Sequence, residues 1–279
     1  MIRRGSKVMQ EKRRRRTKRD RAVSEAIGFI IIFGIIIGGV GIVTLYGYPM
    51  LTQRQTSADE QIMEKNMIVL QNDLKSIAYK TVPYTETSLK VGSGTLTVYN
   101  MTYDNATESH FDVYDNQGLI ATSANPLVFY SGDLRYDSTS AETDLSLENG
   151  AVVKRLIAEN GSTMLANPRW YYDSQTNTAV IYLIGFSSAS DIMSQTGVGT
   201  VKMNLEQTNY MPYVLPAGDI LYVRYLPNNN ADYSAAWYNY FEGMNMAETG
   251  APGEYKWLLN SAQPANVVIY QYQVNIESV

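Results

Sequence analysis

Residues 26–48 read AIGFIIIFGIIIGGVGIVTLYGY, and no charged side chain stands between Glu25 and Arg54. Wound as an α-helix at about 1.5 Å per residue, that stretch reaches roughly 34 Å, enough for the ~30 Å hydrocarbon core of a bilayer. Just upstream stands KRRRRTKRDR, residues 12–21. Residues 1–21 hold eleven Lys and Arg against Glu11 and Asp20, a balance of +9; the remainder carries −13, which together make the net charge of −4. Basic residues beside a span stay cytoplasmic, with about 1 kcal/mol each to gain at an anionic leaflet. The pattern predicts a single-pass protein of the cell membrane, N-terminus cytoplasmic and acidic C-terminal domain extracellular, with membrane lipids as its first partner. A basic run also suits a phosphate backbone. Its abutment to an apolar span is explained by topology alone, so no nucleic-acid partner is expected.

The span outruns the roughly 7–15-residue apolar core of a secretory signal, and no A-x-A cleavage site follows it. Tyr46, Tyr48 and Pro49 follow instead, suited to an interfacial aromatic belt. Gly34, Gly38 and Gly41 recur at spacings of four and three, on one helical face. Small residues so placed let helices approach closely, although glycine is common in membrane helices in any case. Gly39-Val40-Gly41 follows no strand and is not a nucleotide loop. Ser24 is a good N-cap, and Glu25 in the first turn complements the helix dipole by roughly 0.3–1 kcal/mol. Two readings fit Glu25: a helix start in the headgroup region, or an ion pair between subunits of a filament.

The stretch Arg21-Ala22-Val23-Ser24-Glu25-Ala26-Ile27-Gly28 resembles the start of archaeal type IV pilin-like proteins, pilins and archaellins among them, which carry class III signal peptides. In that family a basic and then a small residue precede the cut made by a prepilin peptidase, and the apolar helix is kept. The resemblance implies a processing site at Arg21, Ala22 and Val23, with Val23 as the mature N-terminus. Ser24-Glu25-Ala26-Ile27-Gly28 looks like the S-[PE]-x-I-G opening of such proteins. The likeness is specific over residues 19–48. The chain departs from it in carrying Ala22 where many members have Gly, and in placing Glu25 third in the mature chain where bacterial pilins have a fifth-position Glu. As partners the resemblance implies the prepilin peptidase, the pilus assembly machinery, and other copies through the N-terminal helix. As roles it implies adhesion or surface assembly.

Beyond Pro49, expected to kink the junction, the chain turns polar. Met63, Met67, Leu70, Leu74 and Ile77 then recur at intervals of 4, 3, 4 and 3, an amphipathic helix of period near 3.5. This stripe fits packing on the protein's own β-domain, or on the same helix of a neighbour. From Leu89 the period changes to two: Gly94–Tyr99, Ser109–Tyr114, Thr143–Leu147, Val201–Leu205 and Ile269–Ile276 alternate. Ala179–Ile184 is continuously apolar, the pattern of a strand covered on both faces. Turn residues punctuate these runs at Gly92-Ser-Gly94 (read as a hairpin turn), Asp115–Gly118, Glu148-Asn-Gly150, Asn160-Gly161 and Asn228–Asn230. One helix is expected around Tyr233–Phe241. The fold class is therefore α+β. A basic leader (1–22), a transmembrane pilin-like helix (23–48) and an amphipathic stalk helix (49–82) precede a mostly antiparallel β-sandwich head (83–279).

Little in the head points to catalysis, and no cofactor or metal is expected. Cysteine is absent, which excludes disulfides and thiolate chemistry. The single histidine, His110, lies on a predicted strand, and no G-x-S-x-G elbow surrounds a serine. Asp104, Asp112 and Asp115 are close in sequence but lack calcium-loop spacing. Trp170-Tyr-Tyr172 and Trp237–Phe241 fit either core packing or a carbohydrate platform. Asn100, Asn105 and Asn160 head N-x-S/T sequons, candidate glycan acceptors in an exported chain. The expected function is a membrane-anchored, surface-exposed pilin-like protein, not an enzyme. The rivals are a non-polymerising anchored ectodomain that binds envelope components and, third, a surface hydrolase with carboxylates brought together from afar.

Overall fold

In the computed structural model the charge-free run and the amphipathic segment after it form one helix, Glu25–Lys80. The structure describes residues 25–80, 82–102, 108–118, 127–138, 141–159, 161–229 and 231–279. Helix and β-domain together make the expected α+β chain. It divides between Gln55 and Thr56 into two compact units. The helix from Thr56 onward thus belongs with the strands, and the folded head includes most of what the sequence alone marks as a stalk.

In the first unit the helix carries its apolar side chains outward. Phe29, Ile31, Ile35, Val40 and Leu45 are all more than half exposed. Before Pro49 the residues Val43–Gly47 wind as a π-helical turn, the Tyr48 N–H bonding back to the Val43 carbonyl. Proline lacks an N–H and crowds the turn before it. The wider turn upstream takes up that crowding, and the helix continues through Pro49 rather than ending there.

In the second unit Met63, Met67, Leu70, Leu74 and Ile77 are fully buried. At roughly 1.5–3 kcal/mol each, their burial is worth on the order of 10 kcal/mol. Gln71 lies among them, 1 % exposed. Its Nε2 donates to the carbonyls of Gly150 (2.7 Å) and Asn167 (3.0 Å), which lie on two different loops. At the edge of the stripe Lys154 Nζ meets Glu60 and Glu64, each at 2.7 Å. Partly exposed pairs of this kind contribute about 1 kcal/mol, so the stripe decides where the helix packs and the ions adjust its register.

The strands form two sheets. The larger, in the order β7-β6-β5-β4-β1-β10-β14-β9-β8, contains β1 (Tyr84–Tyr99), β4 (Asp133–Ser138), β5 (Thr143–Glu148), β6 (Ala151–Leu156), β7 (Gly161–Ala166), β8 (Tyr171–Asp173), β9 (Thr178–Ser188), β10 (Ile192–Leu215) and β14 (Ala265–Ser278). The smaller runs β12-β13-β11-β2-β3: Met246–Glu248, Glu254–Trp257, Leu221–Leu226, His110–Tyr114 and Leu127–Tyr130. Every pairing is antiparallel except β14 with β9. As its apolar run predicts, β9 is buried from Ala179 to Ser187. The short helix forms at Ser234–Gly243.

The strand lengths differ from the sequence pattern in two places. Gly92-Ser-Gly94 is not a hairpin turn but an irregularity inside β1, which continues along β10 with register shifts on either side of Gly92. Gly92 takes φ +71°, and a Cβ on Gly94 would come within 2.4 Å of the Tyr136 ring. Two glycines therefore let the strand bulge and approach its neighbour without reversing. β10 runs for 24 residues, pairing with β1 through its first half and with β14 through its second. By contrast Asn149-Gly150 does make a two-residue hairpin between β5 and β6, both residues at positive φ.

Leu70→Ala should lower the unfolding free energy of the detergent-solubilised full chain by about 2–5 kcal/mol, whereas Lys154→Met should change it by about 1 kcal/mol or less. Chemical denaturation followed by near-UV circular dichroism checks both; equal effects would mean that the stripe does not carry the head.

Candidate functional site

Two features stand apart from ordinary packing, one in each unit. The first is the glycine face of the apolar helix. Gly34, Gly38 and Gly41 lie on it, and a Cβ built at any of them meets no atom within 4 Å. Glu25 opens the helix and is exposed. Arg21, Ala22, Val23 and Ser24 lie outside the described residues. No described side chain comes near the glycines, and small residues on one helical face are the kind that let another helix approach closely.

The second is a polar layer inside the head. On β4, β5 and β6 alternate residues face opposite ways. Leu134, Tyr136, Leu145, Leu147 and Val152 are buried on one side, the side on which Lys154 reaches the long helix. On the other side lie Asp133, Arg135, Asp137, Asp144, Ser146 and Glu148. Asp133 Oδ2 accepts from Arg135 Nε (2.9 Å) and Ser146 Oγ (2.8 Å). Directly across β5 and β6, Asp144 is held by Arg155 Nε at 2.8 Å. Glu148 is fully enclosed. Its carboxyl group accepts from Trp237 Nε1 (2.7 Å), Tyr225 Oη (3.2 Å) and Ser109 Oγ. These donors come from the short helix, β11 and the approach to β2, so one carboxyl group ties the smaller sheet and the short helix to the larger sheet.

Burial pushes the Glu148 carboxyl up to about 7, with the Asp133 charge adding to it and the three donors opposing it. Asp137 is also pushed up, to about 6, again first by burial. Such shifts often mark reactive carboxyls. Here Glu148 meets no solvent, and Phe111 packs on the rings of Trp237 (4.7 Å between centroids) and Tyr225 (5.1 Å) beside it. The geometry can hold a proton and join two sheets; it offers no approach for a substrate. Strand alternation alone reads these positions as a solvated face. Nothing in the local pattern marks them as internal, since a cross-strand pair such as Asp144 with Arg155 suits a solvated face equally well.

The other candidates settle individually. His110 packs on Tyr130 at 4.9 Å between ring centroids. Asp112 pairs with Arg224 on the neighbouring strand, Asp115 accepts from the Gln117 N–H and Tyr213 Oη, and Asp104 lies outside the described residues. Trp170, Trp237 and Phe241 are core residues, so neither aromatic group offers its indole as a platform. Asn100 is 8 % exposed. Its Nδ2 donates to the Ser188 carbonyl (3.1 Å) and its Oδ1 accepts from Thr102, so a glycan on Nδ2 would displace that bond. Asn105 and Asn160 lie outside the described residues.

A family model matches the chain over residues 21–277; its description is a family of unknown function (DUF7289). No curated protein and no solved structure matches the chain.

A carboxyl whose pKa is higher folded (about 7) than unfolded (about 4.5) binds more protons in the folded state between those values. Its contribution is therefore fully present below the lower value and is lost as pH rises through the upper one. Stability should fall from pH 5 to pH 8 by on the order of 1–3 kcal/mol through this group. Glu148→Gln should flatten most of that slope, leaving a smaller part centred near the pKa of Asp137. Denaturation midpoints of the full chain at several pH values check this, and an unchanged slope in the variant would be evidence against it.

Proposed function

We propose that this chain, which belongs to the DUF7289 family, is a membrane-anchored, surface-exposed protein of type IV pilin-like design, exported and retained by its N-terminal helix and assembled through it. The observation that carries the reading is that the helix is long and apolar enough to cross a membrane, while none of its most apolar 18-residue window is buried among the described residues. Burying that surface in lipid or against other such helices is strongly favoured, and leaving it in water is not. The open glycine face at Gly34, Gly38 and Gly41 supports helix-to-helix contact. The basic leader supports a cytoplasmic N-terminus, and the Arg21–Gly28 stretch supports processing by a prepilin peptidase. On this reading the function is mechanical, the packing of apolar helices beneath an outward-facing β-domain that carries adhesive or assembly contacts, and no catalysis is involved.

One observation favours a second reading, an anchored ectodomain that does not polymerise. The Met63–Ile77 stripe is consumed by its own head, so it is closed to a neighbour's helix. Self-association is then confined to the apolar helix before Thr56.

Mass spectrometry of the protein from native membranes should find Val23 at the mature N-terminus. Retention of residues 1–22 would remove the pilin-like processing and leave the plain anchor. Gly38→Leu should reduce filaments seen by electron microscopy of sheared surface material by about tenfold or more, with the head's melting temperature unchanged. Filaments that survive this change would argue against packing at that face.

A further inference from the structure

The head is acidic, yet it holds one locally cationic cleft. Residues 56–279 carry 11 Lys and Arg against 24 Asp and Glu, a balance of −13. Six of those cations are engaged in ion pairs: Lys90, Arg135, Lys154, Arg155, Lys202 and Arg224. The other five, Lys65, Lys75, Lys80, Arg169 and Lys256, have no carboxylate within 4 Å among the described residues. Three of these five, Lys75, Lys80 and Arg169, line the same cleft of about 530 Å³, and none of the described residues that line it is acidic. In a domain with twice as many acids as bases, a gathering of unneutralised cations is not what mutual repulsion and the surrounding carboxylates would select.

The cleft is built from two walls. One is the last turns of the long helix, where Asn72, Lys75, Ser76, Tyr79 and Lys80 fall on one side at helical spacing, opposite the buried stripe. The other is the Asn167-Pro168-Arg169 loop between β7 and β8. Gln71 holds that loop to the helix through the Asn167 carbonyl, and Trp170, just beyond it, is fixed by its Nε1 donating to the Tyr182 carbonyl at 2.7 Å. The guanidinium carbon of Arg169 sits over the rings of Tyr79 (4.8 Å) and Tyr182 (5.4 Å), a contact with ring faces that does not use up guanidinium N–H donors. Burial, with the charge of Arg169 added, lowers the Lys75 pKa, as expected of cations crowded without a counter-ion.

We propose that this cleft binds an acidic saccharide, one or two rings long, with a carboxylate or sulfate group set among Arg169, Lys75 and Lys80 and ring hydroxyls on Asn72, Ser76 and Asn167. The volume suits a small organic ligand and exceeds what a lone oxyanion would fill. A nucleotide base would need an aromatic face to stack on. Tyr79 has none to offer, one face being covered by Arg169 and its ring packed on Tyr182 and Tyr272 at 5.0 and 5.7 Å. An acyl chain would need a channel free of polar groups, whereas every lining residue except Pro168 carries an amide, a hydroxyl or a cationic group, and the apolar stems between them suit the faces of a sugar ring. The inference stands independently of the filament reading.

Titration calorimetry on the full chain in neutral detergent tests it, with digalacturonate, its methyl ester and inorganic sulfate as probes. Digalacturonate should bind, weakened by added salt. The ester should not bind, and sulfate should bind at least about tenfold more weakly. Arg169→Gln should weaken digalacturonate about tenfold, the loss of one charge-assisted contact. Lys80→Gln, at an exposed position that leaves the fold untouched, should weaken it about threefold. The proposal fails if digalacturonate does not bind, if the ester binds as well, or if neither substitution alters binding. Sulfate binding as tightly as the sugar would also overturn it, leaving a bare oxyanion site.

Discussion

Burial of the Met63–Ile77 stripe is the interaction on which the folded head depends. Without the helix, one face of the larger sheet, Leu134, Tyr136, Leu145, Leu147 and Val152 among its residues, would stand in water. With it, five aliphatic side chains are removed from solvent at one stroke, a gain that dwarfs the neighbouring ion pairs. The same fact constrains function. A stripe satisfied within its own chain has nothing left for a neighbour, so the apolar surface still seeking cover lies in the helix ahead of Thr56. Anchoring and folding are thus divided along one helix by composition. Among the described residues the apolar segment is left uncovered, and the amphipathic stripe is buried.

The opposite face of β4–β6 is a different kind of interior. Asp133, Arg135, Asp144, Arg155 and Glu148 are removed from water, which is costly for charges unless each finds partners. Most do, through near-ideal bonds: Arg135 to Asp133, Arg155 to Asp144, and three donors on Glu148. Such a layer adds little net stability. It does require the smaller sheet and the short helix to meet the larger sheet in a single arrangement, since Ser109, Tyr225 and Trp237 must all arrive at one carboxyl group. Burial disfavours the ionised form of Glu148 in that setting, so its carboxyl group is the one expected to couple the head's stability to pH near neutrality.

Much of the fold is legible along the chain. A charge-free run, a 3.5-residue stripe and then period-two alternation predict helix followed by β-domain, and Asn149-Gly150 predicts its hairpin from backbone chemistry alone. The short helix and the doubly covered β9 also follow from local pattern. Where reading residue by residue falls short, the cause is a partner distant in sequence. Gly92-Ser-Gly94 carries the composition of a turn, but β10 holds both of its sides in one strand. β5 alternates like a half-solvated strand, but a second sheet closes over its polar side. Asn100 carries a sequon on a turn, but its amide is already bonded to Ser188. Arg169 and the lysines at positions 75 and 80 carry no local signal in sequence and gather where Gln71, Trp170 and the Tyr79 ring fix the loop beside the helix.

The sequence by itself determined that a span-length apolar helix precedes a mostly antiparallel head, because hydrophobic length and period are properties of neighbouring residues. Only the tertiary structure decided which partner the amphipathic stripe takes, that the polar side of β4–β6 is internal, and that three cations with no carboxylate partner among the described residues share one cleft. Those outcomes depend on which faces meet across tens or hundreds of residues of chain, and no local pattern encodes that.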